Sequence, residues 1–258
     1  MKNYYFISGL PRSGSTLLSS VLNQNKNVYA GVTSPVLQLI RNVYEILNTE
    51  TEFKTFLNDR TSKNILSGIF DSYYKDQSKN IVFDTNRMWP NMIYLLKEIY
   101  PKTKILLCVR DIPWILDSFE VLRNKNPLSI PNIYPAAIDL NVYSRTNYLM
   151  SENGLVGSSY KAVKSVMTGP FSDDIMFIDY NEFCKNPAGM MKAVYNFIEQ
   201  PYYEHDFNNV SSEFDSYDLS IGIKDMHKTR KNIEFLQRSS IIPPDLWAKY
   251  NGLEVWKN

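Results

Sequence analysis

Apolar and polar positions along the chain follow two rhythms. Short apolar runs place strands over Asn3–Ser8, Val28–Gly31, Ile81–Asp84, Lys104–Val109 and Ile175–Asp179. Runs of this kind, apolar on consecutive residues, suit strands covered on both faces. Between them the spacing lengthens to that of helices. Behind Pro35, the residues Val36, Leu37, Ile40, Val43, Ile46 and Leu47 fall on one helical stripe. Further helices are predicted over Gly14–Gln24, Thr51–Asp76, Pro90–Ile99, Trp114–Arg123, Pro135–Glu152, Tyr160–Met167 and Pro187–Glu199. Strands alternating with helices predict an α/β fold, a parallel sheet flanked by helices on both faces. No Pro/Gly/Ser-rich linker divides residues 1–258, so one domain is expected. Ligands in such sheets bind beyond the carboxyl ends of the strands.

The first such end carries the most informative segment. Residues 9–16 read Gly-Leu-Pro-Arg-Ser-Gly-Ser-Thr, directly after strand one and before helix one. A strand, a glycine-bearing turn and a helix start form the geometry that holds a phosphate or sulfate. The segment is P-loop-type, close to G-x-x-x-x-G-K-[ST], but Ser15 stands where the lysine belongs. The cation has moved to Arg12, whose planar fork of donors suits an oxyanion. Gly14 lets the backbone approach a ligand, and Ser15 and Thr16 add hydroxyls at the helix start. The plainer reading is a helix start capped by Ser13 or Ser15.

A second segment weighs against that reading. The run Ile105–Val109 ends on Arg110 and Asp111, and Pro113 suits the first turn of the next helix. Ser118 lies two helical turns beyond Arg110. An arginine at a strand tip and a serine on the following helix suit a second phosphate.

Together these residues resemble the sulfotransferases that use 3′-phosphoadenosine-5′-phosphosulfate (PAPS). The 5′-phosphosulfate loop of that family is similar to Pro11-Arg12-Ser13-Gly14-Ser15-Thr16, and its 3′-phosphate motif to Arg110 with Ser118. The resemblance is closest to bacterial-type and carbohydrate or tyrosylprotein-type members, which carry Pro-Arg-Ser-Gly. It extends to Phe83–Arg87, Phe177–Phe183, Asn186-Pro187 and the tail Ile242–Trp247. The resemblance implies transfer of a sulfuryl group from PAPS to an acceptor hydroxyl or amine. The acceptor is a small molecule, carbohydrate or peptide, the product is adenosine 3′,5′-bisphosphate, and no metal is required. The polar stretch from about Phe207 to Ser240 contains Ile221–Lys231, similar to the family segment that folds over the 3′-phosphate and adenosine. Lys228 and Arg230 are its candidate ligands; a solvated basic loop is the plainer reading.

Acceptor activation departs from the family pattern. The tyrosylprotein-type glutamate falls on Thr33, and the lysine of the bacterial-type Asp-Lys pair falls on Thr85. Arg87 is a replacement cation. The candidate base is Asp84, at a strand tip, with a helix N-cap as the alternative. His227 is the second candidate, with an ordinary pKa suited to proton transfer. Arg12 is assigned to the charge that develops on the leaving oxygen. His205, between Glu204 and Asp206, reads as surface. Two other functions stay open: a P-loop kinase or nucleoside phosphotransferase, and a PAPS-binding homologue that has lost catalysis.

Composition narrows this picture. At 258 residues and 44% hydrophobic, the chain can bury a sizeable core. A net charge of +1 argues against nucleic acid as a partner. No apolar run approaches the roughly 18 residues of a membrane span, and strand one begins at once, so a cytoplasmic protein is expected. Cys108 and Cys184 are expected as free thiols. Aromatic residues Tyr44, Phe53, Phe56, Phe70, Tyr73, Tyr74, Tyr143 and Tyr148 are candidates for an acceptor wall or simply for core. Oligomeric state is left open.

Overall fold

The computed structural model describes residues 2–49, 52–126, 133–135, 141–211, 215–220 and 225–257, without the side chains of residues 53, 215 and 216. Five strands form one parallel sheet: β1 (Asn3–Gly9), β2 (Val28–Ala30), β3 (Ile81–Thr85), β4 (Ile105–Val109) and β5 (Ile175–Asp179). Their order is β2-β3-β1-β4-β5, with β1 at the centre. Register pairs Phe6 with Asp84 on one side of β1, and Gly9 with Cys108 on the other.

The uninterrupted apolar runs make a sheet that is buried twice. Tyr4, Phe6, Val82, Leu107 and Val109 face one core, while Tyr5, Ile7, Phe83, Leu106 and Cys108 face the other. This is the period-2 alternation of a strand applied to residues that are apolar at both phases. The second core is covered by α1 (Ser15–Leu22) through Leu18, Val21 and Leu22, and by α9 (Pro187–Phe197) through Met191, Val194 and Tyr195. The first is covered by α2 (Val36–Asn48), α3 (Asp59–Tyr73), α4 (Ile93–Ile99), α5 (Ile112–Lys125), α6 (Val142–Met150), α7 (Leu155–Ser165) and α11 (Pro244–Tyr250). The remaining helices are α8 (Tyr180–Lys185), directly after β5, and α10 (Asp215–Ser220).

The helix following β1 therefore lies on one face and the helix following β4 on the opposite face. β1 and β4 are neighbours, so their outgoing chains part and open a crevice at their carboxyl ends.

The expected elements are present, with differences that have local causes. The predicted helix over residues 51–76 is interrupted: a 3-10 turn at Glu52–Phe56 precedes α3, which Asn58 starts by accepting a hydrogen bond from the Thr61 N–H at 3.0 Å. The helix foreseen from Pro90 begins as a 3-10 turn, Trp89–Met92, before α4. Part of the helix foreseen over Pro135–Glu152 falls on residues 136–140, outside the described residues. α8 was not foreseen; the Asp179 carboxylate caps it by accepting from the Asn181 and Glu182 amides. Both cysteines are free and buried. Among the described residues, no helix is long and apolar enough to cross a membrane.

Candidate active site

β1 enters the crevice at Gly9, whose φ is +116°. A Cβ there would collide with the Cys108 carbonyl, so the close approach of β1 to β4 requires glycine. The Leu10 N–H donates to that same carbonyl at 2.9 Å. The Ser13 hydroxyl lies between the carbonyls of Leu10 and Cys108, at 2.5 and 2.8 Å. Ser13 thus fastens the loop to β4, and its buried hydroxyl is turned away from the crevice. Arg12 and Gly14 flank it in left-handed conformations, φ +59° and +93°.

Gly14 is the residue before α1, and no side chain caps the helix. The sequence's alternative of a Ser13 or Ser15 cap is not what forms. The first intrahelical bond runs from the Leu18 N–H to the Gly14 carbonyl, so the amides of Ser15, Thr16 and Leu17 have no partner within the helix. They sit at the positive end of the helix dipole, available to an anion.

Three long-range contacts complete the site. The Arg12 Nε–H donates to the Ser118 hydroxyl on α5 at 2.9 Å. One of its terminal nitrogens donates to the Met226 carbonyl in the late polar stretch. Arg110, one residue beyond β4, stacks its guanidinium 4.3 Å from the centre of the Tyr180 ring on α8. Among the described residues, its buried Nε has no partner.

Around these residues lies a cavity of about 520 Å³. Pro11, Arg12, Gly14, Ser15, Thr16, Arg110 and Ser118 line it, as do Lys228 and Arg230 from the late stretch. Among the described residues, seven cationic side chains face it (Arg12, Arg87, Lys125, Arg110, Lys228, Arg230 and Arg238) against two acids, Asp225 and Glu234. Lys228 lies 3.5 Å from Asp225, and Arg238 pairs with the buried carboxylate of Asp117. Burial first, then the like charge of Arg110, lowers the pKa of Arg12. Burial likewise lowers that of Arg110, with Arg238 adding to it. Guanidiniums stay protonated regardless. The shifts record burial first and crowded positive charge second, and a polyanion in the cavity would relieve the second.

A profile of the Sulfotransferase family matches residues 5–204. The chain belongs to the sulfotransferase family. No curated protein sequence matches it. A crystal structure of a sulfotransferase from Alicyclobacillus acidocaldarius is similar in fold, with a TM-score of 0.54 at 15% identity, covering 96% of this chain and 90% of that one. The sulfotransferase domain from the curacin biosynthetic pathway is similar at a TM-score of 0.53 and 16% identity, covering 97% and 92%.

The two candidate bases of this sulfotransferase are separated by its fold. Asp84 does not line the cavity, which corrects its nomination. It pairs in register with Phe6 inside the sheet and is 0% exposed. Its carboxylate accepts from the Ser34 hydroxyl (2.5 Å), the Tyr74 hydroxyl (2.6 Å) and the Trp89 indole N–H (2.8 Å). Nor does it cap a helix. A carboxylate with three donors in a sealed core is a structural acceptor, even though burial raises its pKa. His227 does line the cavity. Thr85 is buried, its hydroxyl donating to the Gly31 carbonyl at 2.7 Å, while Arg87 two residues on reaches the cavity.

None of the described aromatic residues named from the sequence lines the cavity. Phe70 and Tyr74 are core, and Tyr44, Phe56, Tyr73 and Tyr143 are exposed on the surface. The Phe53 side chain, and Ile221–Lys224 of the late stretch, lie outside the described residues. His205 corrects the surface reading: it is 6% exposed, packed among Tyr195, Tyr202, Tyr203 and Phe207. Two contributors carried no sequence signal of a role. Tyr180 supports Arg110 from the stretch Phe177–Phe183, and Asp218 meets His227 from a polar segment without periodicity.

Proposed function

We propose that this sulfotransferase takes PAPS as donor and passes its sulfuryl group to a hydroxyl or amine. The observation that carries the reading is the convergence of Arg12, Arg110 and Ser118 on one cation-rich cavity, from segments about a hundred residues apart. The residues present fit a ligand with two separated phosphate-like groups. The amides and hydroxyls of Ser15 and Thr16 would hold the 5′-phosphosulfate. Arg110 would hold the 3′-phosphate with Ser118, helped by Lys228 and Arg230; its unpaired Nε supports this. A smaller space of about 80 Å³ adjoins, walled by Trp114, Phe235 and the Tyr180–Arg110 stack, and offers flat faces to a purine.

PAPS supplies an activated sulfuryl group with its own leaving phosphate. The chain's residues position it and meet the charge. Arg12 would meet the negative charge that grows on the bridging oxygen, an interaction worth most in the transition state. The acceptor is of small-molecule, carbohydrate or peptide type.

Calorimetric titration with adenosine 3′,5′-bisphosphate, with ATP and 5′-AMP as controls, tests the proposal. Binding of the bisphosphate in preference to both supports it. Binding of ATP instead, strengthened by magnesium, overturns it in favour of a phosphotransferase.

A further inference from the structure

The late polar stretch does more than bring cations to the cavity. His227 Nδ1 lies 2.5 Å from Asp218 Oδ1, and the His227 backbone N–H donates to Asp218 Oδ2 at 2.8 Å. One carboxylate therefore grips both the ring and the main chain of the same residue. Asp218 is nearly sealed, its side chain 3% exposed, while His227 opens onto the cavity. The Tyr217 ring packs against the imidazole, centroids 5.2 Å apart. The Met226 carbonyl, just before His227, receives the Arg12 guanidinium. The imidazole is thus held by Asp218, and the main chain just before it is tied to the loop that would hold the sulfuryl group.

An unprotonated acceptor oxygen on Asp218 facing Nδ1 dictates the tautomer. Nδ1 must carry the hydrogen, and Nε2 is then an acceptor when the ring is neutral. Among the described residues Nε2 has no hydrogen-bond partner. The charged groups facing the ring are Asp218 from α10, Arg12 from the loop and Arg87 beyond β3. Burial lowers the His227 pKa most, Asp218 opposes this, and Arg12 and Arg87 lower it further. The balance keeps the ring neutral near pH 7.

We propose that His227 Nε2 takes the acceptor's proton and that Asp218 is its positioning residue, holding the ring in the Nδ1–H tautomer. The inference rests on the sulfotransferase reading above and names the proton's destination. As the acceptor oxygen or nitrogen bonds to sulfur, its proton passes to Nε2. The bond from sulfur to the 5′-phosphate oxygen breaks, and its electron pair leaves with adenosine 3′,5′-bisphosphate. The imidazolium formed is stabilised by Asp218, the general logic of a base held by a buried carboxylate.

The chain has two histidines, so ¹⁵N NMR of the histidine-labelled full-length protein resolves each ring. His227 is expected as the Nδ1–H tautomer at neutral pH; an Nε2–H tautomer overturns the proposal without any variant. The second readout is bisphosphate release from PAPS with water as acceptor, across pH. His227→Gln should reduce release at least about tenfold, the lower part of the range for a general base. Asp218→Asn should lower the plateau and move the acidic limb down by about one pH unit, because a neighbouring anion is lost. A merely structural Asp218 would lower activity with the limb unmoved, and that result also overturns the proposal. Bisphosphate affinity separates the two readings: it should hold within about twofold in both variants. Failure of the wild-type protein to bind the bisphosphate sinks the donor assignment itself, whatever the tautomer.

Discussion

The Arg12 Nε–H donates to the Ser118 hydroxyl across 2.9 Å, joining a loop after β1 to a helix after β4. The two residues belong to different motifs, one proposed for the 5′ end of the donor and one for the 3′ end. The contact makes them one unit: the same guanidinium also holds the Met226 carbonyl of the late stretch. A ligand entering the cavity meets a preassembled set of donors, and preorganisation lowers the cost of binding.

The first prediction concerns the neighbouring arginine. Arg110→Ala should weaken adenosine 3′,5′-bisphosphate binding by about 1.5–3 kcal/mol, the range for hydrogen bonds to a charged group. Arg110→Lys should recover little, because the stack on Tyr180 and the planar fork both belong to guanidinium. Ser118→Ala removes one neutral donor and should cost about 1 kcal/mol. Calorimetry on the three variants checks the ranking. Unchanged affinity in Arg110→Ala would remove it from the donor site.

The loop glycines separate stability from binding. Gly9→Ala places a methyl into the Cys108 carbonyl at a φ of +116°, where the sheet backbone cannot yield. A loss of about 3 kcal/mol or more is expected, read as a large fall in the thermal midpoint. Gly14→Ala is also strained at +93°, but its methyl would meet the edge of the Tyr180 ring at 2.7 Å, a side chain that can turn. Turning that ring undoes the Arg110 stack. Its expected signature is therefore a smaller stability loss with weakened bisphosphate binding. Equal midpoints for the two variants would contradict this division.

Much of this was legible in the residues. The five strands announced themselves because a doubly covered parallel strand is apolar at every position. The loop at 9–16 and the Arg110–Ser118 pair were legible because their chemistry is local: a strand, a turn, a cation at the tip. Asp84 misled for a related reason. A carboxylate near a strand end looks poised for chemistry, but the Ser34, Tyr74 and Trp89 donors that claim it come from segments up to 50 residues away. His205 misled because Glu204 and Asp206 made its neighbourhood polar, while the cluster that buries it lies partly on α9. Asp218 is the same lesson in reverse: its partner is nine residues on, and no periodicity marks the pair.

Asp84 can now be tested as a structural acceptor. Asp84→Ala leaves three buried donors unpaired and should cost about 3 kcal/mol or more. Provided the variant is assayed below its lowered midpoint, bisphosphate affinity should be unchanged, because no Asp84 atom lines the cavity. Denaturant unfolding and calorimetry on one preparation decide it. Normal stability with lost turnover would restore Asp84 as the base.

The last prediction follows from His205 and is one of sign. Burial among its aromatic neighbours pulls its pKa from the ordinary 6.5 to about 4. Between those values the unfolded chain binds a proton that the folded chain refuses. Stability from this residue is therefore complete above pH 6.5 and declines as pH falls towards 4. The full contribution over that window is at most about 3 kcal/mol. His205→Phe keeps the ring in the cluster and removes the titration. Compared from pH 7 to pH 4, the unfolding free energy should fall more steeply for the wild type than for His205→Phe. Parallel curves would mean that His205 protonates in the folded state as readily as in the unfolded one.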